Sequence, residues 1–238
     1  MSRARGWPSA PCYNSAMDSL VQTILVSALP LLFAITLHEA AHGIVARRFG
    51  DNTAYLMGRI SLNPMRHIDP MGTIVIPLIM LFATSGAFIF GYAKPVPVDF
   101  GRLRNPRWDS LWVALAGPAC NLLQAFVWAC IAIGLRGLDV EEPFFVRMAS
   151  AGVAVNLVLG ALNLFPLLPL DGGRVLTALL PVRAAYRFAK IEPYGFFIVM
   201  ALVMTRVLDT LWLRPLVTVG YEVVFGILRP IVSLFSHV

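Results

Sequence analysis

The residues with the clearest chemical potential in this 238-residue chain are His38, Glu39 and His42. Residues four apart lie on one face of a helix, so the two imidazoles can reach one metal ion. The glutamate beside the first histidine can then accept a proton from a water held at that metal. All three lie in a strongly apolar stretch, residues 20–46, where ionisable groups are costly and indicate a functional site.

The composition predicts a membrane protein. Hydrophobic residues make up 58% of the chain and charged residues only 13%, against about 25% charged residues in a soluble domain. The formal net charge of +6 comes from basic side chains in short polar stretches, which is typical of loops that flank membrane spans. We therefore expect a lipid bilayer as the surrounding partner and no nucleic acid.

Apolar segments of about 20 residues predict an all-α polytopic fold with five to six transmembrane helices in one domain, residues 18–238. Residues 53–62, around Gly58, predict a hairpin or strand, so that a short strand-like or re-entrant segment is expected after the first helix. Residues 183–190 predict an amphipathic helix at the interface. Residues 1–17 are polar and predict either a disordered tail or a natural start of the chain at Met17. The predicted segments are residues 20–49, 71–90, 111–135, 144–165, 194–207 and 216–228.

The distribution of basic residues predicts an orientation in the inner membrane. Arginines are more frequent at and after the C-terminal end of the first segment than before the segment: Arg47, Arg48, Arg59 and Arg66 against Arg3 and Arg5. Because basic loops stay in the cytoplasm, the histidine pair is expected toward the cytoplasmic side. The loop after residues 71–90 is also basic, so that segment either spans the bilayer or re-enters it.

A catalytic zinc site needs a third protein ligand. Residues 58–66, just downstream of the histidines, contain no histidine and no acid. Asp171 is the best candidate, because two prolines open the helix before it and two glycines after it permit close backbone approach. Asp69 and Asp51 are the alternatives at this point.

Two motifs together resemble the site-2 protease family of intramembrane zinc metalloproteases. They are His38-Glu39-x-x-His42 in a first membrane helix and Asn163-x-x-Pro166-x-x-Pro169-x-Asp171-Gly172 far downstream. Residues 58–64, 66–70 and 91–97 are also similar to those of its compact members, which lack PDZ or CBS-like appendages.

The resemblance implies one Zn²⁺ ion held by His38, His42 and Asp171, with Glu39 activating the water. It also implies that Asn163 acts near the oxyanion of the reaction. The expected partner is a transmembrane helix of a membrane-protein substrate, cleaved within the bilayer. On this view, the edge of residues 53–62 would pair with the unwound substrate.

Other readings of the same residues stay open. A membrane metal transporter would also place histidine and aspartate at mid-membrane, but it would not need Glu39 as a base. A catalytically silent scaffold would need no zinc. Asn121 and Asn156 are expected to be interhelical hydrogen-bonding residues, and His67 a structural residue. Gly117-Pro118 is expected to permit either close helix packing or a kink.

Overall fold

The computed structural model describes residues 15–66, 69–75, 79, 94–140 and 142–235, and every regular element within them is helical. The α-helices, numbered in chain order, are α1 (Ser15–Arg48), α2 (Thr53–Leu56), α3 (Pro106–Gly137), α4 (Pro143–Asn163), α5 (Asp171–Leu179), α6 (Val182–Ala189), α7 (Glu192–Met204) and α8 (Arg214–Phe235). Short helical turns cover Pro64–Arg66, Pro70–Val75, Phe100–Arg102 and Asp209–Leu213. The all-α prediction is confirmed for these residues.

Four helical stretches of the described chain are long and apolar enough to cross a membrane: Gln22–Arg48, Pro106–Gly137, Pro143–Asn163 and Asp209–Pro230. The predicted fifth segment, near residues 194–207, forms the 13-residue helix α7, which is about 20 Å long and too short for a core of about 30 Å. Most of residues 71–90 lies outside the described residues. The chain is thus an integral membrane protein with four candidate spans, and five to six spans stay a prediction.

Helices α1, α3 and α4 pack against one another and form the centre of the molecule. Small side chains line these contacts: Ala34, Ala125 and Ala149 are fully buried. Without a hydrophobic drive between helices in lipid, such residues let the backbones approach closely. A second apolar cluster joins α3, α4 and α8 and includes Leu157 and Val224.

The connection after α1 differs from the prediction. The strand-like assignment of residues 53–62 is wrong, because the segment begins with the short helix α2 and then turns. Asp51 causes this: its buried carboxylate accepts hydrogen bonds from the Thr53 N–H at 2.9 Å and the Thr53 hydroxyl at 2.5 Å. Gly58, at φ +63°, reverses the chain after the helix. The edge proposed for substrate pairing is therefore not formed at α2.

The break between α4 and α5 places Asp171 as the first residue of α5. The glycines after it permit this, as predicted. A Cβ atom at Gly172 would lie 2.2 Å from the Leu164 carbonyl oxygen, and one at Gly173 would lie 2.3 Å from the Leu168 nitrogen. The backbone of α5 therefore packs directly on the preceding turn.

The far end of α5 is held by α3. The Arg107 guanidinium donates from Nε to the Ala178 carbonyl at 2.8 Å and from Nη2 to the carbonyls of Leu179 and Leu180 at 3.4 and 3.3 Å. Carbonyl groups at the C-terminal end of a helix have no hydrogen-bond partner within it, and Arg107 supplies one. The predicted amphipathic stretch after them forms α6, which has no buried residue. Its place at the membrane interface stays a prediction.

Candidate metal centre

Three ligand atoms from two distant parts of the chain meet at one point. His38 Nε2 lies 3.1 Å from His42 Nε2 and 3.1 Å from Asp171 Oδ2, and His42 Nε2 lies 3.4 Å from the same oxygen. One turn of α1 brings the two imidazoles together, and the first residue of α5 supplies the carboxylate. Among the described residues, His38, His42 and Asp171 are the group of three histidine, cysteine or acidic side chains that lie close enough together to hold one metal ion.

The hydrogen bonds of both imidazoles leave their Nε2 lone pairs facing this point. His42 Nδ1 lies 2.7 Å from the Val113 carbonyl, which only accepts, so Nδ1 carries the proton. His38 Nδ1 lies 2.5 Å from Asn121 Oδ1. The Asn121 amide nitrogen lies near two further oxygens, which fixes its own oxygen toward the histidine. Each Nδ1 is thus committed to an oxygen, which leaves Nε2 as the atom of each ring that can bind a metal ion.

The convergence of these atoms fits a cation and the donor set fits zinc. Two nitrogen lone pairs and a carboxylate oxygen face one another, and Asp171 Oδ2 is buried without a hydrogen bond of its own. A tetrahedral zinc site with bonds of about 2.0–2.1 Å separates neighbouring ligands by about 3.3 Å, close to the three separations seen here. Two histidines with one carboxylate also form a known catalytic zinc set.

Gly117 makes room for the two rings. A Cβ atom at this position of α3 would lie 2.5 Å from His38 Nε2 and 2.5 Å from His42 Nε2. Any side chain there would therefore occupy the place of the imidazole tips. The predicted role of Gly117 in close helix packing is confirmed, and the partner it approaches is the metal site itself.

Glu39 lies beside the ligands without belonging to them. Its Oε2 accepts a hydrogen bond from the Val96 N–H at 2.7 Å, and it lines a cavity of about 300 Å³ together with both histidines and Asp171. Asn163 lines the same cavity, and its Nδ2 donates to the Leu159 carbonyl at 3.1 Å. The structure thus brings all five predicted site residues to one cavity. The catalytic roles of Glu39 and Asn163 stay predictions.

Asn121 is part of the site in a way that the sequence did not reveal. Besides orienting His38, its Nδ2 donates to the Ala34 carbonyl at 3.3 Å and to Asn156 Oδ1 at 3.0 Å. Asn156 in turn donates to the Gly152 carbonyl at 2.9 Å. Both asparagines are fully buried and link α1, α3 and α4, as expected of interhelical residues. The sequence showed that an amide lies in an apolar helix, which indicates a hydrogen-bonding role. It did not show that the partner of this amide is His38.

The alternative third ligands have other roles. The Asp51 carboxylate accepts from Thr53 and also from the Asp99 N–H at 2.8 Å, which ties the end of α1 to residues 94–99. Burial raises the pKa of Asp51, but these hydrogen bonds outweigh it and hold that pKa below its ordinary value. Asp69 Oδ1 accepts from the N–H groups of Met71 and Gly72. His67 lies outside the described residues.

Comparison with known proteins decides the family. The sequence pattern of peptidase family M50 matches residues 26–153 and 139–206, which is most of the chain. This chain belongs to peptidase family M50. The resemblance to site-2 proteases is therefore confirmed. The M50 chain is a zinc metalloprotease with a metal-binding cluster at His38, His42 and Asp171.

The similar proteins are also described as zinc metalloproteases or candidate zinc metalloproteases. The chain is 35% identical over 229 residues to YwhC of Bacillus subtilis, a candidate zinc metalloprotease, covering 94% of each protein. It is 31% identical over 189 residues to Rip2 of Mycolicibacterium smegmatis, covering 78% of this chain and 69% of that protein. The zinc metalloprotease MJ0392 of Methanocaldococcus jannaschii is 23% identical over 156 residues, 66% of this chain and 34% of its own. No solved structure matches the chain.

Proposed function

We propose that this M50 protease hydrolyses peptide bonds within transmembrane segments of other membrane proteins, using one Zn²⁺ ion held by His38, His42 and Asp171. The observation that carries the proposal is the position of the cluster on a helix long enough to cross the bilayer. His42 lies six residues and His38 ten residues before the end of the stretch Gln22–Arg48. At 1.5 Å per residue, the two ligands lie about 9 and 15 Å from that end.

The chemistry of the site needs a base, a charge-stabilising group and a metal. When bound, zinc lowers the pKa of water to about 7 and polarises a carbonyl. Glu39 takes the proton of the attacking water and returns it to the leaving amine nitrogen, which is the role of a general acid–base. Asn163 offers its second amide N–H to the oxygen of the reacting carbonyl.

The histidine pair faces the cytoplasmic side in this proposal, because arginines are concentrated at and after the C-terminal end of α1. Arg47 and Arg48 end that helix, and Arg59 follows it. Reaction near the cytoplasmic face would let the shorter product leave toward water. Labelling of single cysteines introduced into the loop after α1, in sealed vesicles of known orientation, tests this placement.

One experiment separates this function from metal transport and from a silent scaffold. The wild-type protein and Glu39→Gln are reconstituted in liposomes with a single-span model substrate, and zinc content, zinc flux and cleavage are measured on the same samples. Glu222→Gln, which changes an exposed glutamate on α8, serves as the matched control. We expect Glu39→Gln to keep its zinc and to lose cleavage by about 10²–10⁴-fold, with the control unchanged.

The other outcomes overturn the proposal. Zinc flux that survives Glu39→Gln while the wild type cleaves nothing would favour transport. Wild-type protein that binds no zinc would favour the scaffold.

A further inference from the structure

The cavity beside the metal centre contains a cation that the zinc chemistry does not use. Of the described residues that line this cavity, Arg174 is the one lysine or arginine. It lies on α5 three residues after the ligand Asp171, and residues with this spacing share one helix face. The metal ligand and the guanidinium are therefore presented from the same face of the same short helix.

The protein holds this guanidinium loosely. Its Cζ atom lies 5.0 Å above the Phe100 ring, which also lines the cavity. Its Nη2 lies 3.8 Å from Glu192 Oε1, too far for a hydrogen bond, and both side chains of this pair are partly exposed. Such an ion pair contributes little to stability.

Arg107, on α3, shows what a structural arginine looks like in this fold. Its Nε and Nη2 atoms donate to three carbonyls at the end of α5. Arg174 has the aromatic face of Phe100 to orient it, but its N–H donors stay available to something in the cavity. The contrast indicates a ligand-binding arginine in the lining of the cavity beside the metal site.

The proposed reaction develops a negative charge that the Arg174 guanidinium could stabilise. When water adds to the scissile carbonyl carbon, its proton passes to Glu39 and the carbonyl π electrons move to oxygen, which becomes negative. When the C–N bond breaks, the oxygen electrons re-form the carbonyl and the amine nitrogen takes the proton from Glu39. The products are an amine and a carboxylic acid, which ionises. Asn163 can give this oxygen one amide N–H, because its other N–H is held by the Leu159 carbonyl, and a cationic second donor would add to that stabilisation.

Resting on the proposed function, we infer that Arg174 binds the carbonyl oxygen of the scissile peptide bond and stabilises the negative charge that develops on it. The same guanidinium then faces the carboxylate of the product. A guanidinium suits both states, because its planar donors match a carboxylate and its charge does not depend on pH.

The test compares Arg174→Gln and Arg174→Lys with Glu192→Gln in the zinc-loaded, full-length protein. We expect Arg174→Gln to keep wild-type zinc content and a KM within about twofold, while kcat falls by about 100-fold, as when one oxyanion donor is removed. Arg174→Lys should recover part of that loss. Glu192→Gln removes the partner of the ion pair but leaves the guanidinium, so its kcat should stay near that of the wild type.

A second measurement separates binding of the reacting state from a structural role. A phosphinic peptide, whose tetrahedral group carries the negative charge, should lose affinity for Arg174→Gln by about the same factor as kcat/KM, while KM for uncleaved substrate stays nearly constant. Unchanged kcat in Arg174→Gln, or an equal loss in Glu192→Gln, would overturn the inference and leave the proposed function standing. A zinc-loaded wild-type protein that cleaves no membrane substrate would overturn both.

Discussion

Replacing Gly117 with alanine tests whether the space above the two imidazoles is what allows the metal site to form. The added Cβ atom would lie 2.5 Å from Nε2 of both His38 and His42, whereas ordinary contacts begin near 3.4 Å. Each ring would have to retreat by about 0.9 Å, the difference between these two values. Zinc ligands tolerate deviations of only about 0.2 Å.

The expected result is a loss of zinc without loss of the fold. Losing one residue that merely orients a ligand weakens metal binding by about 10–100-fold, so displacing two ligands should cost at least about 100-fold. Overpacking costs about 1–3 kcal/mol, so the apoprotein should be less stable but still folded. The assay is competition for zinc against a chromophoric chelator, with thermal unfolding of the chelated protein measured in parallel.

Gly134→Ala on the same helix is the matched control. A Cβ atom at Gly134 meets nothing within 4 Å, so this change should keep wild-type zinc affinity and stabilise α3 by about 0.5–1 kcal/mol. If Gly117→Ala bound zinc as tightly as the wild type, the two imidazoles could not occupy the positions described here, and the reasoning would be refuted.

Three further changes probe the surroundings of the site. Asn121→Ala should weaken zinc affinity by about 10–100-fold in chelator competition, because the first histidine loses its orienting oxygen, and unchanged affinity would contradict this. Val96→Pro removes the N–H that holds Glu39 and should lower kcat by about 10–100-fold with zinc retained, and an unchanged kcat would contradict this. Asp51→Asn should reduce the free energy of unfolding by about 1.5–3 kcal/mol near neutral pH, because it loses charge-assisted hydrogen bonds. Since the folded pKa of Asp51 lies below 3.8, its contribution is present above pH 3.8 and disappears as the pH falls through the folded value. Unfolding of the wild type and the variant should therefore converge in acid, and a constant difference down to pH 2 would contradict the assignment.

The sequence predicted the ligands well, because their signals are local or chemically unusual. His38 and His42 share a helix face by their spacing alone, and ionisable groups in an apolar helix are rare. Asp171 could be singled out because prolines and glycines surround it. In each case the residue carries its own signal and needs no knowledge of a distant partner.

The parts that the sequence did not predict depend on contacts between distant residues. Asn121 orients a histidine 83 positions away, and nothing in its neighbours identifies that partner. The helix α2 replaced the expected strand because the Asp51 carboxylate accepts hydrogen bonds from Thr53, two residues away, and from the Asp99 N–H, 48 residues away. The strand prediction used the apolar pattern of residues 53–62 and included neither the local turn at Asp51 nor its distant partner.

The central claim is that the cluster of His38, His42 and Asp171 supports zinc-dependent hydrolysis inside a membrane-spanning segment. Mass spectrometry of the fragments made from a single-span substrate by the reconstituted, zinc-loaded protein tests it most directly. We predict one or a few cleavage sites within the apolar segment, abolished by removal of zinc and restored when zinc is returned. Cleavage confined to the water-exposed flanks of the substrate, or cleavage that persists in full without zinc, would contradict the account.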